Sequence, residues 1–137
     1  MSVDDALRIW TLIEVEPSVL DTISRVRSGG TSCYLASNQQ QHRAKYMSET
    51  LGYHQLFDAE FYSCHLGHAK PSSSYFKVIL DAIELEPQQA LFLDDHDVNV
   101  AGAREGGIHA SVFAIDRGSD NGRALREVLS RYEVRVP

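Results

Sequence analysis

The sequence predicts an α/β fold, a Rossmann-like parallel sheet with helices on both faces. The run Ala90–Leu93 is apolar throughout, and strands without polar alternation are typical of parallel sheets that helices cover on both sides. Apparent strands alternate along the chain with helices of roughly 8 to 14 residues, which is the order expected of βαβ units. With 137 residues, of which 43% are hydrophobic, the chain is long enough for a single domain with an apolar core.

The first elements are marked by proline and glycine. Residues 4–13 have an apolar spacing compatible with a short helix, although their β-branched residues and Trp10 leave a strand open. Pro17 predicts the start of a helix through about Arg27, because proline is favoured at the first helical position and two glycines follow. The β-forming residues of the segment 31–37 predict a strand.

Two helices and a strand are predicted in the middle of the chain. A helix over 39–51 ends before Gly52, since glycine suits the position that follows a helix. A short strand over 57–63 comes next. The helix predicted over 71–85 begins at a proline and is followed by Pro87, which marks its end.

The C-terminal part repeats the alternation of strand and helix. It predicts a strand over 90–94, a helix over 99–105 and a second strand over 110–115. A polar, glycine-containing turn over 116–122 then leads to a last helix over 123–132.

Charge and composition exclude several classes of function. The formal net charge of -6 argues against a nucleic-acid partner or an anionic membrane surface, because both require a positive patch. No apolar run approaches the roughly 18 residues of a membrane span, and the acidic N-terminus does not resemble a signal peptide. Cys33 and Cys64 lack CxxC spacing, so we expect two reduced, mostly buried thiols and a cytoplasmic protein.

Polar side chains follow three of the predicted strands. Ser37 ends the first of them, Lys70 lies just past the next, and Asp94 and Asp95 end the third. In a doubly wound sheet these strand ends meet at one edge. A hydroxyl can hold phosphoryl oxygens, a lysine can neutralise the charge that develops in transfer, and paired carboxylates can bind Mg²⁺. The pattern therefore predicts a site for phosphoryl transfer.

The order and spacing of these residues resemble the haloacid dehalogenase-like superfamily of aspartate-nucleophile hydrolases, over roughly residues 17–115. The resemblance lies in its second, third and fourth motifs, which read here Leu35-Ala36-Ser37-Asn38, then Gly67-His68-Ala69-Lys70-Pro71 with Tyr75, then Phe92-Leu93-Asp94-Asp95 with Asn99, Ala101, Ala103 and Gly107. Each motif alone is weakly specific, and the ordered set is specific.

The resemblance implies a role for each residue of the set. Ser37 and Asn38 would bind the phosphoryl group of a small phosphorylated molecule, and Lys70 would bridge the nucleophile and the phosphoryl oxygens. Asp94 and Asp95 would hold Mg²⁺. This acidic pair favours the Mg²⁺-dependent phosphatase branch over the metal-free dehalogenases, which lack it.

The first motif of the superfamily has no counterpart in the sequence. That motif is an apolar strand ending in Asp-x-Asp, in which the first aspartate is the nucleophile and the second the usual acid and base. The aspartates upstream of Ser37 are Asp4, Asp5 and Asp21, and none follows an apolar strand. The segment Asp95–Asp97 spells Asp-x-Asp, but it lies within the fourth motif.

The missing motif changes the expected architecture and chemistry. We expect a sheet without the family's first, central strand, with residues 1–16 as a remnant of the cap region or a linker and residues 17–137 as the core. Two carboxylates and water would hold Mg²⁺ weakly, because this ion prefers six oxygens in octahedral geometry.

Three functions remain open from the sequence, and with them whether the chain is an enzyme. It is a truncated hydrolase with little or no activity, a non-catalytic protein that uses the scaffold for binding or assembly, or an enzyme completed in trans by another chain. Sheet edges left exposed by a lost strand would favour a homo-oligomer. The role of His96 is open between substrate contact and solvent exposure.

Overall fold

The computed structural model describes the backbone of residues 7–10, and residues 16–137 with their side chains. It contains five strands, β1 (Leu7–Trp10), β2 (Cys33–Ser37), β3 (Ala59–Tyr62), β4 (Ala90–Asp94) and β5 (His109–Val112). All pair in parallel in one sheet of order β3-β2-β1-β4-β5. The predicted Rossmann-like α/β fold is confirmed.

Seven α-helices occur in the described residues. They are α1 (Pro17–Ser28), α2 (Gln41–Lys45), α3 (Tyr53–Leu56), α4 (Ser63–Leu66), α5 (Ser73–Ile83), α6 (Asp97–Glu105) and α7 (Asn121–Ser130). A π-helical turn, Tyr46–Thr50, continues α2, and a 3-10 turn, Pro87–Gln89, precedes β4. No helix of the described chain has both the length and the apolar character needed to cross a membrane.

The helices cover both faces of the sheet, and the side chains of β4 pack against the helices on both faces. Leu91 and Leu93 belong to the apolar cluster that contains residues of α1 and α7, whereas Phe92 belongs to the cluster formed with α5 and α6. Successive side chains of a strand point to opposite faces. An uninterrupted apolar run is therefore what a strand buried on both sides requires.

The expectation of a sheet without a central strand is corrected by β1. This strand lies between β2 and β4, with Ile9 in register with Tyr34 on one side and with Phe92 on the other. The short helix predicted for this region is wrong for residues 7–10, where the alternative of a strand is confirmed. Residues 7–10 thus belong to the sheet and not to a cap remnant; the rest of the segment 1–15 lies outside the described residues.

The physical reason is backbone pairing. Both β2 and β4 are buried, so each needs a hydrogen-bonded neighbour on both sides. The β-branched and aromatic residues of β1 suit a strand better than a helix. The Asp-x-Asp motif supplies catalytic side chains, and its absence does not prevent the strand from forming.

The two cysteines differ in their surroundings. Cys33 is buried in β2, as expected, but Cys64 is exposed in α4. The strand predicted over 57–63 ends at Tyr62, and the chain turns at once into a short helix. The expectation of two mostly buried thiols is therefore wrong for Cys64.

Candidate functional site

The site lies where β2 and β4 end. Ser37 is the last residue of β2, Asp94 is the last of β4, and Lys70 comes from the loop between α4 and α5. The ammonium of Lys70 lies 3.0 Å from Asp94 Oδ2 and donates a second hydrogen bond of 3.0 Å to the carbonyl of Ala36. Its side chain is 2% exposed and that of Asp94 is 0% exposed. The two charges therefore form a buried ion pair.

Asp94 is held by three donors. Its Oδ1 accepts from the backbone N–H of His96 at 2.9 Å, and its Oδ2 accepts from Asn99 Nδ2 at 3.1 Å as well as from Lys70. Burial alone would raise the pKa of Asp94, but the Lys70 ammonium and the hydrogen bonds from the His96 backbone and from Lys70 lower it. The same burial lowers the pKa of Lys70, because desolvation outweighs the attraction of Asp94.

Asn38 fixes the backbone of Lys70. Its Nδ2 donates to the Lys70 carbonyl at 3.1 Å, and its Oδ1 accepts from the Lys70 N–H at 2.9 Å. This reciprocal pair joins the end of β2 to the lysine loop, the segment 67–72 between α4 and α5. The side chain that the resemblance assigns to phosphoryl binding thus also positions the lysine.

Ser37 carries a buried hydroxyl that lacks a partner. The residue is 1% exposed, and within residues 16–137 its Oγ makes no hydrogen bond. It borders a cavity of about 270 Å³ whose lining residues are Ser37, Asn38, Lys70, Asp95, His96, Val98 and Asn99. Buried polar atoms are nearly always hydrogen-bonded in native proteins, so this hydroxyl is available to a polar group that enters the cavity.

Asp95 and His96 form the exposed rim of this cavity. His96 Nδ1 lies 2.8 Å from Asp95 Oδ1 and 3.5 Å from Asp94 Oδ1. The carboxylate of Asp95, with a smaller contribution from Asp94, raises the pKa of His96. Among the described residues, Asp94, Asp95 and His96 form a group of potential metal ligands. Their donor atoms all lie within 4.8 Å of one another, which is close enough to share a metal ion.

The donor set fits the Mg²⁺ that the resemblance implies only in part. Two carboxylates at a strand end match the oxygen preference of this ion. However, Asp94 already forms an ion pair with Lys70. Among the described residues, Asp95 has no lysine or arginine partner, so it is the carboxylate whose charge is left for a metal ion. The third nearby donor, on His96, is a nitrogen.

Helix α6 packs closely against the lysine loop. A Cβ added at Gly102 would lie 2.6 Å from the carbonyl oxygen of Pro71, which is closer than any real contact of this kind. Tyr75, which the third motif includes, is buried and donates a 2.9 Å hydrogen bond to the Phe61 carbonyl. Burial raises the pKa of its hydroxyl. The close approach of α6 to Pro71 constrains the backbone that directly follows Lys70.

A second, more open cavity of about 830 Å³ adjoins the site. Asn38 lines both cavities. The second is bordered by polar residues of the segment before α2, of α2 and α4 and of the loop before Lys70, namely Gln39, Gln40, Arg43, Ser63, Cys64 and His68.

The five residues predicted for the site are brought together at one edge of the sheet. The two contributions that the sequence did not reveal are the Asn38 clamp on Lys70 and the contact of His96 with both carboxylates. His96 stands beside the acidic pair in the sequence, but the direction of its ring depends on the turn from β4 into α6. After Trp10 the sequence continues with Thr11 and contains no aspartate before Asp21.

Comparison with known proteins gives the family. The model of the haloacid dehalogenase-like hydrolase family matches residues 2–107. The bifunctional epoxide hydrolase 2 of Sus scrofa is 30% identical over 118 residues, which are 82% of this chain and 20% of that protein. The fructose-1-phosphate phosphatase YqaB of Escherichia coli (strain K12) is 26% identical over 106 residues, 77% of this chain and 56% of the relative. The chain thus spans between a fifth and about half of the length of these curated relatives.

Solved structures share the fold. A protein of Corynebacterium glutamicum superposes with a TM-score of 0.77 at 20% identity, over 96% of this chain and 97% of that one. A haloacid dehalogenase family enzyme of Bacteroides thetaiotaomicron, in complex with magnesium and inorganic phosphate, has a TM-score of 0.67 at 23% identity and is matched over 76% of this chain and 56% of its own. The family match, the parallel sheet and the Ser37, Lys70 and Asp94 cluster agree, and the chain belongs to the haloacid dehalogenase-like hydrolase family.

Proposed function

We propose that the chain binds a small phosphorylated molecule in the cavity beside Ser37, and that it turns this ligand over slowly or not at all. The observation that carries the proposal is the buried, unpartnered hydroxyl of Ser37, which opens to the same cavity as Lys70. The fold is that of the haloacid dehalogenase-like hydrolases, and the chain would use it for binding.

A phosphoryl group suits the chemistry of this cavity. Its oxygens are strong acceptors, and the Ser37 hydroxyl is a donor whose burial without a partner costs about 1–3 kcal/mol. The Lys70 ammonium supplies positive charge within a region of low polarity, where electrostatic attraction is strong. A related protein is named a fructose-1-phosphate phosphatase, and another fold neighbour holds inorganic phosphate and magnesium, which supports the same class of ligand.

Mg²⁺ is the cofactor that we propose for the phosphorylated ligand, held by Asp94 and Asp95. When bound, it would neutralise phosphoryl charge and orient the ligand. Because Lys70 already offsets the charge of Asp94, we expect weak binding of Mg²⁺ to the chain alone. Lys70 and Ser37 would then carry most of the phosphoryl contacts.

Slow or absent turnover follows from the residues after β1. The family's mechanism needs an aspartate nucleophile at the end of this strand, and the chain has Thr11 after Trp10 and no aspartate between Asp5 and Asp21. Without that carboxylate, no covalent aspartyl-phosphate can form. The remaining site residues can bind and orient a phosphoryl group but cannot attack it.

Calorimetric titration with inorganic phosphate tests the binding proposal. We expect saturable binding to the wild type, weakened about tenfold or more in Ser37→Ala. The thermal stability of that variant should not fall, because it removes a hydroxyl without a partner. Ser24→Ala, which changes an exposed serine of α1, should bind like the wild type. Absent binding, or equal affinity of wild type and Ser37→Ala, would contradict the proposal.

A further inference from the structure

We propose that Asp94, Asp95 and His96 form a binding site for a divalent transition-metal ion of the kind that accepts imidazole, such as Zn²⁺, Co²⁺ or Ni²⁺. In this site, His96 Nδ1 is a ligand beside the two carboxylates. The inference does not depend on phosphate binding, since it concerns a metal ion in phosphate-free solution. It departs from the Mg²⁺ site that the family resemblance implies, because the added donor is a nitrogen.

The distances between the donor atoms match those of ligands around one ion. Two ligands held at about 2.1 Å from a metal and at right angles to each other are about 3 Å apart. His96 Nδ1 lies 2.8 Å from Asp95 Oδ1 and 3.5 Å from Asp94 Oδ1. Small rotations of the side chains suffice to bring all three donors to one ion.

The turn from β4 into α6 places these donors on one side. The backbone N–H of His96 donates to Asp94 Oδ1 at 2.9 Å, which closes the turn and brings the imidazole over the carboxylates. The His96 side chain is 70% exposed, so packing does not fix the direction of the ring. It is the two carboxylates that hold the ring in place.

The charge balance of the site favours a metal that accepts nitrogen. Mg²⁺ depends on anionic oxygens and water, and Lys70 has already offset one of the two carboxylates. Imidazole adds affinity for Zn²⁺, Co²⁺ and Ni²⁺, whereas Mg²⁺ gains little from it. In phosphate-free solution, the third ligand therefore favours these transition-metal ions over Mg²⁺.

The neighbouring cavity provides a second observation, separate from the distances between the donor atoms. Ser37 Oγ is buried and lacks a hydrogen-bond partner within residues 16–137, and it lines the same cavity as Asp95 and His96. A water molecule carried by a metal at the rim would give this hydroxyl a partner. A plain ion pair between His96 and Asp95 would leave it without one, and an exposed ion pair contributes little to stability.

Imidazole ¹⁵N NMR tests the proposal directly. We expect the first equivalent of Zn²⁺ to shift the Nδ1 resonance of His96, identified by its loss in His96→Ala, by more than saturating Mg²⁺ does, because only Zn²⁺ binds the nitrogen directly. The resonances of His68, an exposed histidine of the lysine loop, should not move with this equivalent. If the first equivalent of Zn²⁺ fails to bind or leaves His96 unshifted, the proposal is overturned.

Titration calorimetry of variants provides a second readout. His96→Ala should weaken Zn²⁺ binding about tenfold or more and leave Mg²⁺ affinity unchanged, and Asp95→Asn should weaken both ions. The control His68→Ala should bind Zn²⁺ like the wild type. His96 is exposed, so circular dichroism should show the variant folded. Zn²⁺ affinity that is the same in wild type, His96→Ala and Asp95→Asn would place the ion elsewhere.

Discussion

The Lys70 ammonium and the Asp94 carboxylate face each other at 3.0 Å with almost no exposure to solvent. Removing such charges from water is costly, and their attraction and hydrogen bonds offset that cost only while both are present. Asn99 and the backbone N–H of His96 donate two further hydrogen bonds to the carboxylate. The pair thus serves the folded state as well as the ligand, and its two halves depend on each other.

We expect Lys70→Met to lower the free energy of unfolding by about 3–5 kcal/mol, because it leaves Asp94 buried without its cation. Adding Asp94→Asn should restore part of that loss, since the double variant buries no unpaired charge. Urea unfolding of the two single variants and the double variant measures the coupling. Losses that simply add would show that the pair contributes no mutual stabilisation.

At this scale the sequence predicts which residue types meet but not where their side chains point. Ser37, Lys70, Asp94 and Asp95 stand at strand ends, and the topology of a parallel sheet brings strand ends together. The clamp of Asn38 on the Lys70 backbone depends on how two loops meet. Loop geometry has no periodic signal in sequence, so this contact could only come from the structure.

At the scale of elements, the fit between α6 and the lysine loop is the tightest feature of the site. The Cα of Gly102 faces the Pro71 carbonyl, and backbone atoms at that position cannot move aside as a flexible side chain would. The absence of a side chain at Gly102 therefore allows α6 to pack closely against the segment that carries Lys70.

We expect Gly102→Ala to lower the free energy of unfolding by about 1–3 kcal/mol, because the new methyl group overpacks the contact. It should also weaken phosphate binding, since the displaced segment holds Lys70. The matched control is Gly106→Ala, whose Cβ would meet its nearest atom at 3.4 Å and should alter stability little. Thermal unfolding and phosphate titration of both variants check this. If the two variants had the same stability and the same phosphate affinity, the close approach of α6 to Pro71 would not matter for holding Lys70 in place.

Elements with a strong signal were predicted well. The strand over 90–94 has the bounds of β4, because an apolar run ends there at charged residues. The helix predicted over 39–51 is divided into α2 and a π-helical turn. The four-residue helices α3 and α4 were not predicted, since so few residues show no helical period.

For the molecule as a whole, the position of β1 decides whether the sheet is continuous. A sheet without its centre would expose the edges of β2 and β4, and the expected homo-oligomer rested on those edges. With β1 between them, the outer strands of the described sheet are β3 and β5. Oligomerisation and a cytoplasmic location stay predictions from the sequence.

Hydrogen exchange followed by mass spectrometry tests the central strand. We expect the amides of residues 7–10 to exchange as slowly as those of β4, because both lie inside the sheet and open only with large parts of the fold. The turn around Gly118 serves as the fast-exchanging reference. Exchange of residues 7–10 at the rate of that turn would contradict the assignment of β1.

Phosphate binding without turnover is tested most directly by magnesium-dependent hydrolysis of p-nitrophenyl phosphate. The chain places Ser37, Lys70, Asp94 and Asp95 together, but no aspartate follows β1 in its sequence. We expect the wild type and Asp95→Asn to hydrolyse the ester no faster than buffer containing Mg²⁺. Turnover by the wild type that requires Mg²⁺ and disappears in Asp95→Asn would contradict this, because it would show a working nucleophile in the chain.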